Sequence, residues 1–428
     1  MKFLLAVSGS ISAFKSVEVM RLLQKSGHKV KIILTKGAQK FVSADNYRYL
    51  GADAVYLHNS DFDSKNYDGN NSILHIELAR WADVLLISPL SASTLSKLAQ
   101  ASASDLLSCI FLAWGEKPCL LFPAMNTSML THPFVQKNLA TLNELPHVFI
   151  YPPEKGELAC GEFGDGKLPA PKSISRFAQV WNLSRRQERV LISSGPTLSP
   201  LDTFRYLTNG ASGKTGLYLA EESLRRGLNV TVVSGPGGHE LYYHLLNHPS
   251  FELFLVKTTQ EMAQAIKSRL PDSHFFISAA AVSDFEFETQ ATKIKKEEFG
   301  GFLAVKKATD ILQETVEKRS QYPLLKKIIG FAAENYLTIQ KLQAKMQRKP
   351  VDLLVGNKVH NGLIGGEQLG FNQEKGEYLL LTIKESMLYP GLSKIELANK
   401  ILDFCLVEPL IENSFQGESV HEFGPTTQ

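Results

Sequence analysis

Cysteine is scarce in this chain of 428 residues, with four in all: Cys109, Cys119, Cys160 and Cys405. They lie singly, with no CxxC pair and no metal-ligand spacing, so a disulfide scaffold is excluded and reduced thiols in the cytoplasm are expected. Long apolar runs are missing too. No stretch approaches the roughly 20 residues needed to span a bilayer. The opening MKFLLAVSGS carries an apolar run that ends at Val7, too short for the core of a secretory leader, and it reads as a buried first strand. An excess of one charge is also lacking. Lys and Arg number 46 against 43 Asp and Glu, a net +3, too little to draw nucleic acid or a membrane by field alone. No internal repeat or low-complexity tract is found. There remains a chain of ordinary apolar content, long enough for two or three domains with sizeable cores.

Strand-like apolar runs alternate with amphipathic stretches. In the first half the runs are Phe3–Val7, Lys29–Leu34, Val84–Ser88, Cys119–Pro123 and Val148–Tyr151, with helical patterns at Ser12–Ser26, Ser93–Gln100 and Asp105–Trp114. This β–α alternation predicts a parallel sheet with helices on both faces. Residues 151–171, rich in Gly and Pro, read as an ordered flap, and 172–188 as a helical linker. Alternation restarts with Arg189–Ser193 and a helix Lys214–Arg226. Further strands are expected at Val230–Ser234, Phe251–Val256, Phe275–Ala279, Lys327–Ala332 and Val351–Val355. An alternating segment Tyr378–Ile383, a helix Lys394–Cys405 and a polar tail 411–428 complete the chain. The expected domains are 1–171 and 189–410.

Three turns at strand ends are built of small or polar residues: Gly9-Ser10-Ile11-Ser12-Ala13, Pro89-Leu90-Ser91-Ala92-Ser93-Thr94 and Pro123-Ala124-Met125-Asn126-Thr127-Ser128-Met129. Small residues let a backbone approach a phosphate, and a helix N-terminus supplies amides and the positive dipole end. Strand C-termini are where an open α/β sheet binds its ligand. The Asn126 amide can hold a carboxylate or a flavin edge. His75 follows a polar loop. Cys160 lies in a Gly-rich flap, where a thiol can swing over a site and deliver a proton. Each feature has a plainer explanation: Ser93, Thr94 or Asn126 as helix caps, His75 as a structural histidine, Cys160 as a small hydrophobe.

Taken together and in order, VSGSISAFK, HIELARWADVLLISP, FPAMNTSM and GELACGEFGDG resemble the homo-oligomeric flavin-containing cysteine decarboxylases across residues 1–170. The resemblance implies a flavodoxin-like fold and FMN, held by Gly9, Ser10, Ile11, Ser91, Ser93, Thr94 and Met125. It implies that FMN takes up and returns electrons while the substrate carboxylate leaves as CO₂. His75 becomes the active-site histidine, Asn126 the grip on the substrate carboxylate and Cys160 the proton donor. The chain departs from the family's usual strings at Ser93 and across Lys167-Leu168-Pro169-Ala170-Pro171.

In the second half Ser212-Gly213-Lys214-Thr215-Gly216 imitates the end of a P-loop, but Thr208 stands where that pattern needs its first Gly. Ala279-Ala280-Ala281-Val282-Ser283-Asp284-Phe285 ends a strand with small residues and a carboxylate suited to ribose hydroxyls or a metal. Lys293 and Lys295 share a face if extended. Lys341, Lys345 and Lys349 recur at helical spacing, which suits a triphosphate, although a solvated face is the commoner reason for such a row.

Residues 189–405 resemble phosphopantothenate–cysteine ligase through SSGPTLSPLDTFRYLTN, SGKTG, SAAAVSDF, KIKK, GFAAE, the Ala344, Lys345, Lys349 pattern and Asn357. The family is therefore that of bifunctional decarboxylase–ligase fusions of coenzyme A synthesis, with a Rossmann-like α/β second domain. The resemblance implies 4'-phosphopantothenate, cysteine and CTP as substrates, Mg²⁺ as cofactor and an acyl-cytidylate intermediate. By the same resemblance, Asn209 is expected to contact the acyl intermediate and Lys293 to assist acyl transfer or nucleotide binding. Ala279, Ala280, Asp284, Lys293, Asp310, Ile311, Phe331, Lys345 and Lys349 are expected to hold the nucleotide. No nucleic-acid or membrane partner is expected. The resemblance also implies trimeric decarboxylase contacts and dimeric ligase contacts, which close most simply into a dodecamer. Departures fall at Gly210-Ala211 and Ala308-Thr309. Two other readings stay open: a decarboxylase with a degenerate ligase domain, and a non-catalytic regulatory flavoprotein. The joint presence of His75, Asn126 and Cys160 disfavours the second.

Overall fold

The apolar runs of the first half fold into six strands: β1 (Lys2–Val7), β2 (Lys29–Leu34), β3 (Ala54–Leu57), β4 (Val84–Leu90), β5 (Cys119–Pro123) and β6 (Val148–Ile150). They belong to a computed structural model that describes residues 1–62, 73–181, 185–295, 301–360, 369 and 373–406. The chain divides into two units, Met1–Leu183 and Ser184–Gln428. The expected tail 411–428 lies outside the described residues, as does Lys296.

The first sheet runs β3-β2-β1-β4-β5-β6, with every pair parallel. Its central strands are buried on both faces, Phe3 to Val7 and Val84 to Ile87 without exception, which explains continuous rather than alternating apolar runs. One face packs Leu4, Ala6, Ile87 and Leu121 against helices Leu74–Trp81, Ala92–Ala99 and Leu106–Leu112 through Leu78, Leu95, Leu98 and Ile110. Phe122, on the opposite side of β5, stacks with Tyr151 at a centroid distance of 5.2 Å and meets Phe177 edge-on. Phe177 belongs to the helix Pro171–Gln179, which opens on a proline at its first turn. The stretch expected to link the halves thus begins as a packed helix of the first unit, with Ile174, Phe177 and Ala178 fully buried.

The order 3-2-1-4-5-6 is that of a doubly wound dinucleotide sheet. Removing the edge strand β3 leaves the flavodoxin-like order. β3 has no expectation in the sequence because it is four residues long and only partly buried. The expected flap contains an antiparallel hairpin, β7 (Glu154–Glu157) and β8 (Phe163–Lys167).

The second unit holds β9 (Arg189–Ser194), β10 (Leu198–Pro200), β11 (Tyr206–Thr208), β12 (Asn229–Ser234), β13 (Phe251–Leu255), β14 (Phe275–Ser278), β15 (Phe285–Phe287), β16 (Val305–Lys307), β17 (Lys327–Glu334), β18 (Leu353–Lys358), β19 (Lys375–Leu381) and β20 (Ser386–Ser393). Its main sheet runs β13-β12-β9-β14-β17-β18-β19-β20. The first six strands are parallel and repeat the order of the first unit, while β19 and β20 are antiparallel. Leu191, Val233, Phe276, Ile328 and Leu354 form its core. Two small hairpins, β10–β11 and β15–β16, stand apart from this sheet. They and β20 have no counterpart in the sequence reading, because three-residue strands carry no period and β20 lacks an alternating apolar pattern.

Candidate active sites

In the first unit the strand order reverses between β1 and β4, and the turns flagged in the sequence meet there. The Ser8 hydroxyl donates to the Pro89 carbonyl at 2.7 Å and accepts from the Ser91 amide at 2.7 Å. That links the Gly9-Ser10-Ile11 turn to the Ser91–Thr94 turn. Ser91 also caps helix Ala92–Ala99, accepting from the Thr94 amide at 3.4 Å. The Ala124 amide donates to the Leu90 carbonyl at 3.1 Å, which brings the Met125-Asn126 turn alongside. A Cβ on Gly9 would stand 3.0 Å from the Gly37 backbone, so the loops after β1 and β2 touch main chain to main chain. The Ser88 hydroxyl near the end of β4 is buried with no hydrogen-bond partner among the described residues. Ser93 and Ile11 are exposed, Ile11 by 58%. Small side chains and a helix N-terminus at a switch point fit a phosphate-bearing ligand.

The flap docks on the β5 turn. The Met125 amide donates to the Gly166 carbonyl at 3.1 Å, and the Thr127 hydroxyl to the Asp165 carbonyl at 2.6 Å. Gly166 has φ +128°, and a Cβ there would sit 2.0 Å from the Met125 carbonyl oxygen, so only glycine permits this approach. Docking brings Cys160 to Asn126: the Asn126 amide nitrogen lies 3.4 Å from the Cys160 sulfur and donates to a Glu162 carboxylate oxygen at 3.1 Å. The Cys160 thiol donates to that same oxygen at 3.5 Å. Glu162 escaped the sequence reading, because a flap acid carries no positional signal.

His75 stands at the start of helix Leu74–Trp81, and among the described residues no hydrogen bond joins it to that cluster. Its Nδ1 lies 2.7 Å from a carboxylate oxygen of Asp61, and its amide donates to the other at 3.1 Å. Asp61, Cys109 and His75 place donor atoms within 4.8 Å of one another. A set with thiol and imidazole does not suit Mg²⁺, which takes oxygen ligands.

The second unit repeats the switch between β9 and β14. The Ala280 amide donates to the Ser193 hydroxyl at 3.2 Å and the Ala281 amide to the Gly195 carbonyl at 2.9 Å. The Asn209 amide donates to the carbonyls of Ala281 at 3.0 Å and Val282 at 3.2 Å, so Asn209 and Ala279-Ala280 share one loop cluster. Ser194 accepts from Tyr242 at 2.8 Å and donates to the Gly213 carbonyl at 3.2 Å, which seats helix Lys214–Arg225 on the end of β9. A Cβ on Gly216 would stand 2.2 Å from the Ser194 hydroxyl. The glycines of SGKTG therefore serve helix–strand contact.

Asp284 is exposed, and its carbonyl accepts from the Ala308 amide at 2.9 Å. Asp310 caps the helix Ile311–Glu317, accepting from the Gln313 amide at 3.0 Å. Lys349 lies 2.5 Å from its other oxygen. Burial works against the Asp310 charge, but Lys349 and the Gln313 amide outweigh it and hold the carboxyl below its ordinary range. The lysines differ from a solvated row. Lys345 pairs with Glu334 at 2.5 Å, with Lys341 at 4.0 Å from the same carboxylate. Lys349 lies beyond the helix Ile339–Arg348, because Pro350 disfavours the α conformation before it. Phe331 is half-buried on β17, and the Asn357 side-chain oxygen near the end of β18 is buried without a partner among the described residues.

Lys293 is exposed, with its ammonium 5.3 Å from the Phe204 ring centroid. Asp202 anchors its segment: its carboxylate accepts from the amides of Phe204 and Arg205 at 2.8 Å each and of Ile294 at 3.2 Å. Arg205 bonds that carboxylate and, at 2.9 Å, the Ile294 carbonyl. The Arg205 guanidinium, then these amides, hold the Asp202 carboxyl far below its ordinary range. The sequence signal was Asp202-Thr203-Phe204-Arg205, an acid bonding its own backbone two and three residues on.

The two units thus define a fusion of a flavoprotein domain with a second nucleotide-type α/β domain. A family model described as Flavoprotein matches residues 1–182, and one described as DNA/pantothenate metabolism flavoprotein C-terminal domain matches 185–407. The coenzyme A biosynthesis bifunctional protein CoaBC of Bacillus subtilis (strain 168) is 34% identical over 364 residues, 83% of this chain and 85% of that one. The CoaBC of Haemophilus influenzae is 32% identical over 93% of this chain and 95% of its own, and that of Escherichia coli (strain K12) 33% over 84% and 86%. A solved PPC decarboxylase mutant complexed with pantothenoylaminoethenethiol is 38% identical, over 41% of this chain and 93% of its own, with TM-score 0.37. The chain belongs to the family of coenzyme A biosynthesis bifunctional proteins. It is an enzyme with a decarboxylase-type flavoprotein domain followed by a ligase-type domain.

Proposed function

We propose that the first unit binds FMN and decarboxylates phosphopantothenoylcysteine to 4'-phosphopantetheine, and that the second makes its substrate from 4'-phosphopantothenate and cysteine, using CTP and Mg²⁺. The observation that carries the first part is the Asn126 amide donating to a carboxylate beside the Cys160 thiol. The Glu162 carboxylate occupies the place a substrate carboxylate takes. When substrate displaces it, the Asn126 side chain, braced by the Ser128 amide at 2.8 Å, orients the leaving group. The docked flap excludes water and brings the Cys160 proton to the carbon that loses CO₂. FMN supplies the reversible electron acceptor for this chemistry. Gly9, Ser10, Ile11, Ser91, Ser93, Thr94 and Met125 are the residues that hold it.

In the second unit, Asn209 and Lys293 act on the activated acyl group. Ala279, Ala280, Asp284, Asp310, Ile311, Phe331, Lys345 and Lys349 cradle the nucleotide. The Asn357 oxygen near the C-terminal end of β18, buried without a partner among the described residues, and the Lys349–Asp310 contact, which joins two of these residues, support this. Mg²⁺ arrives with the triphosphate. Among the described residues no helix is long and apolar enough to cross a membrane, in keeping with a cytoplasmic enzyme. The test is to purify the protein, supply phosphopantothenate and cysteine with CTP, ATP or no nucleotide, and follow ligated and decarboxylated products by mass spectrometry beside the flavin absorbance. A colourless protein that FMN cannot reconstitute rejects the first part, and no ligated product with either nucleotide rejects the second.

A further inference from the structure

We propose that Asp61 is a positioning residue for decarboxylation, fixing the tautomer and aim of the His75 imidazole. The inference rests on the reading of His75 as the active-site histidine. Asp61 is 5% exposed, in the turn Ser60–Phe62 that follows β3. It holds His75 at two points, Nδ1 at 2.7 Å and the backbone amide at 3.1 Å. A single contact would leave the ring free to turn about it, whereas two contacts from one carboxylate tie the ring to its own main chain. An ionised carboxylate only accepts hydrogen bonds. The hydrogen of a neutral His75 therefore sits on Nδ1, and Nε2 presents its lone pair away from Asp61.

Other titratable groups lie near the Asp61–His75 pair. Cys109, on helix Leu106–Leu112, reaches the same place, but burial and then the charges of Asp61 and Asp105 push its thiol up, so it stays neutral. Asp105 is occupied by Lys97 at 2.8 Å and by the Ser108 amide at 2.9 Å. His58, on the segment before Asp61, accepts or donates to Gln39 at 3.0 Å. A helix cap would need only the amide contact and would not engage the ring.

The experiment uses the full-length flavin-loaded protein and supplied phosphopantothenoylcysteine, with Asp61→Asn, Asp61→Glu and His75→Asn. Flavin content and melting temperature are measured alongside kcat and KM. Asp61→Asn keeps an oxygen for the His75 amide but loses the charge. Its kcat should fall about ten- to hundredfold with KM within about twofold, since misplacing an active-site group by about 1 Å can cost roughly a hundredfold. Asp61→Glu, which keeps the charge but displaces it, should lose less of kcat than Asp61→Asn. Wild-type kcat per bound flavin in Asp61→Asn overturns the proposal and leaves a structural cap. If Asp61→Asn does not fold, wild-type kcat per bound flavin in Asp61→Glu overturns it equally. His75→Asn separates the two readings: full activity there rejects the role of His75 itself, and loss there with normal Asp61→Asn rejects only the Asp61 inference.

Discussion

Replacing Lys349 with Gln sets two magnitudes against each other. The Lys349–Asp310 contact is 2.5 Å long, but its side chains are 36% and 35% exposed. Solvent screening then limits its worth to about 0.5–1 kcal/mol of stability. A nucleotide phosphate held by the same ammonium is a charge-assisted contact worth roughly 1.5–3 kcal/mol, or about ten- to hundredfold in affinity. Lys349→Gln should therefore melt close to wild type yet need about ten- to hundredfold more CTP for half-maximal ligation. Lys345→Gln should behave alike, since Lys345 is bound to Glu334 with similar exposure. Decarboxylation of supplied phosphopantothenoylcysteine should be unchanged in both and serves as the internal control. Lys293→Gln should instead depress ligation even at saturating CTP. The stability term has a signature of its own. The Asp310 carboxyl is held below its ordinary value of 3.8, so the contribution is complete above that pH and is lost as pH falls through the lowered folded value. The small advantage of wild type over Lys349→Gln should disappear in strong acid. The assay is steady-state ligation against CTP concentration for the three variants. Wild-type CTP dependence in Lys345→Gln and Lys349→Gln would refute the reasoning and leave the two lysines as partners of Glu334 and Asp310 alone.

Cys160→Ser should still release CO₂ but accumulate the oxidised enethiol, seen by mass spectrometry; normal 4'-phosphopantetheine formation would remove Cys160 from the proton step. Gly166→Ala should undock the flap, since its Cβ would lie 2.0 Å from the Met125 carbonyl oxygen. The hydrogen bonds lost there are worth about 0.5–1.5 kcal/mol each, and decarboxylation should fall while ligation persists. Full decarboxylase activity in that variant would show that the docked flap is dispensable. Light scattering should report a symmetric assembly combining three-fold and two-fold contacts; a monomer at micromolar concentration contradicts it.

Periodicity and strand-end chemistry were local properties, and they carried the α/β class, most strand positions and the turns at Gly9, Ser91, Asn126 and Ala279. β1, with Phe3 to Val7 buried on both faces, had to be continuously apolar wherever it lay in the sheet. The edge strand β3 and the small hairpins carried too few residues to show a period. Which strands adjoin was not legible, because parallel order depends on crossovers that leave no mark on the strands themselves. The resemblance named His75, Asn126, Cys160 and the lysines, but not what touches them. Asp61 reaches His75 across 14 residues, Glu162 reaches Asn126 across 36 and Glu334 meets Lys345 from a neighbouring strand. Such acids have no fixed spacing from the groups they hold. The sequence by itself determined which segments become strands and which turns carry small residues, since those follow from side-chain pattern within a few residues. Only the tertiary structure decided which carboxylate meets which base or thiol, because a hydrogen bond is set by distance in space and the chain between its partners leaves that distance open.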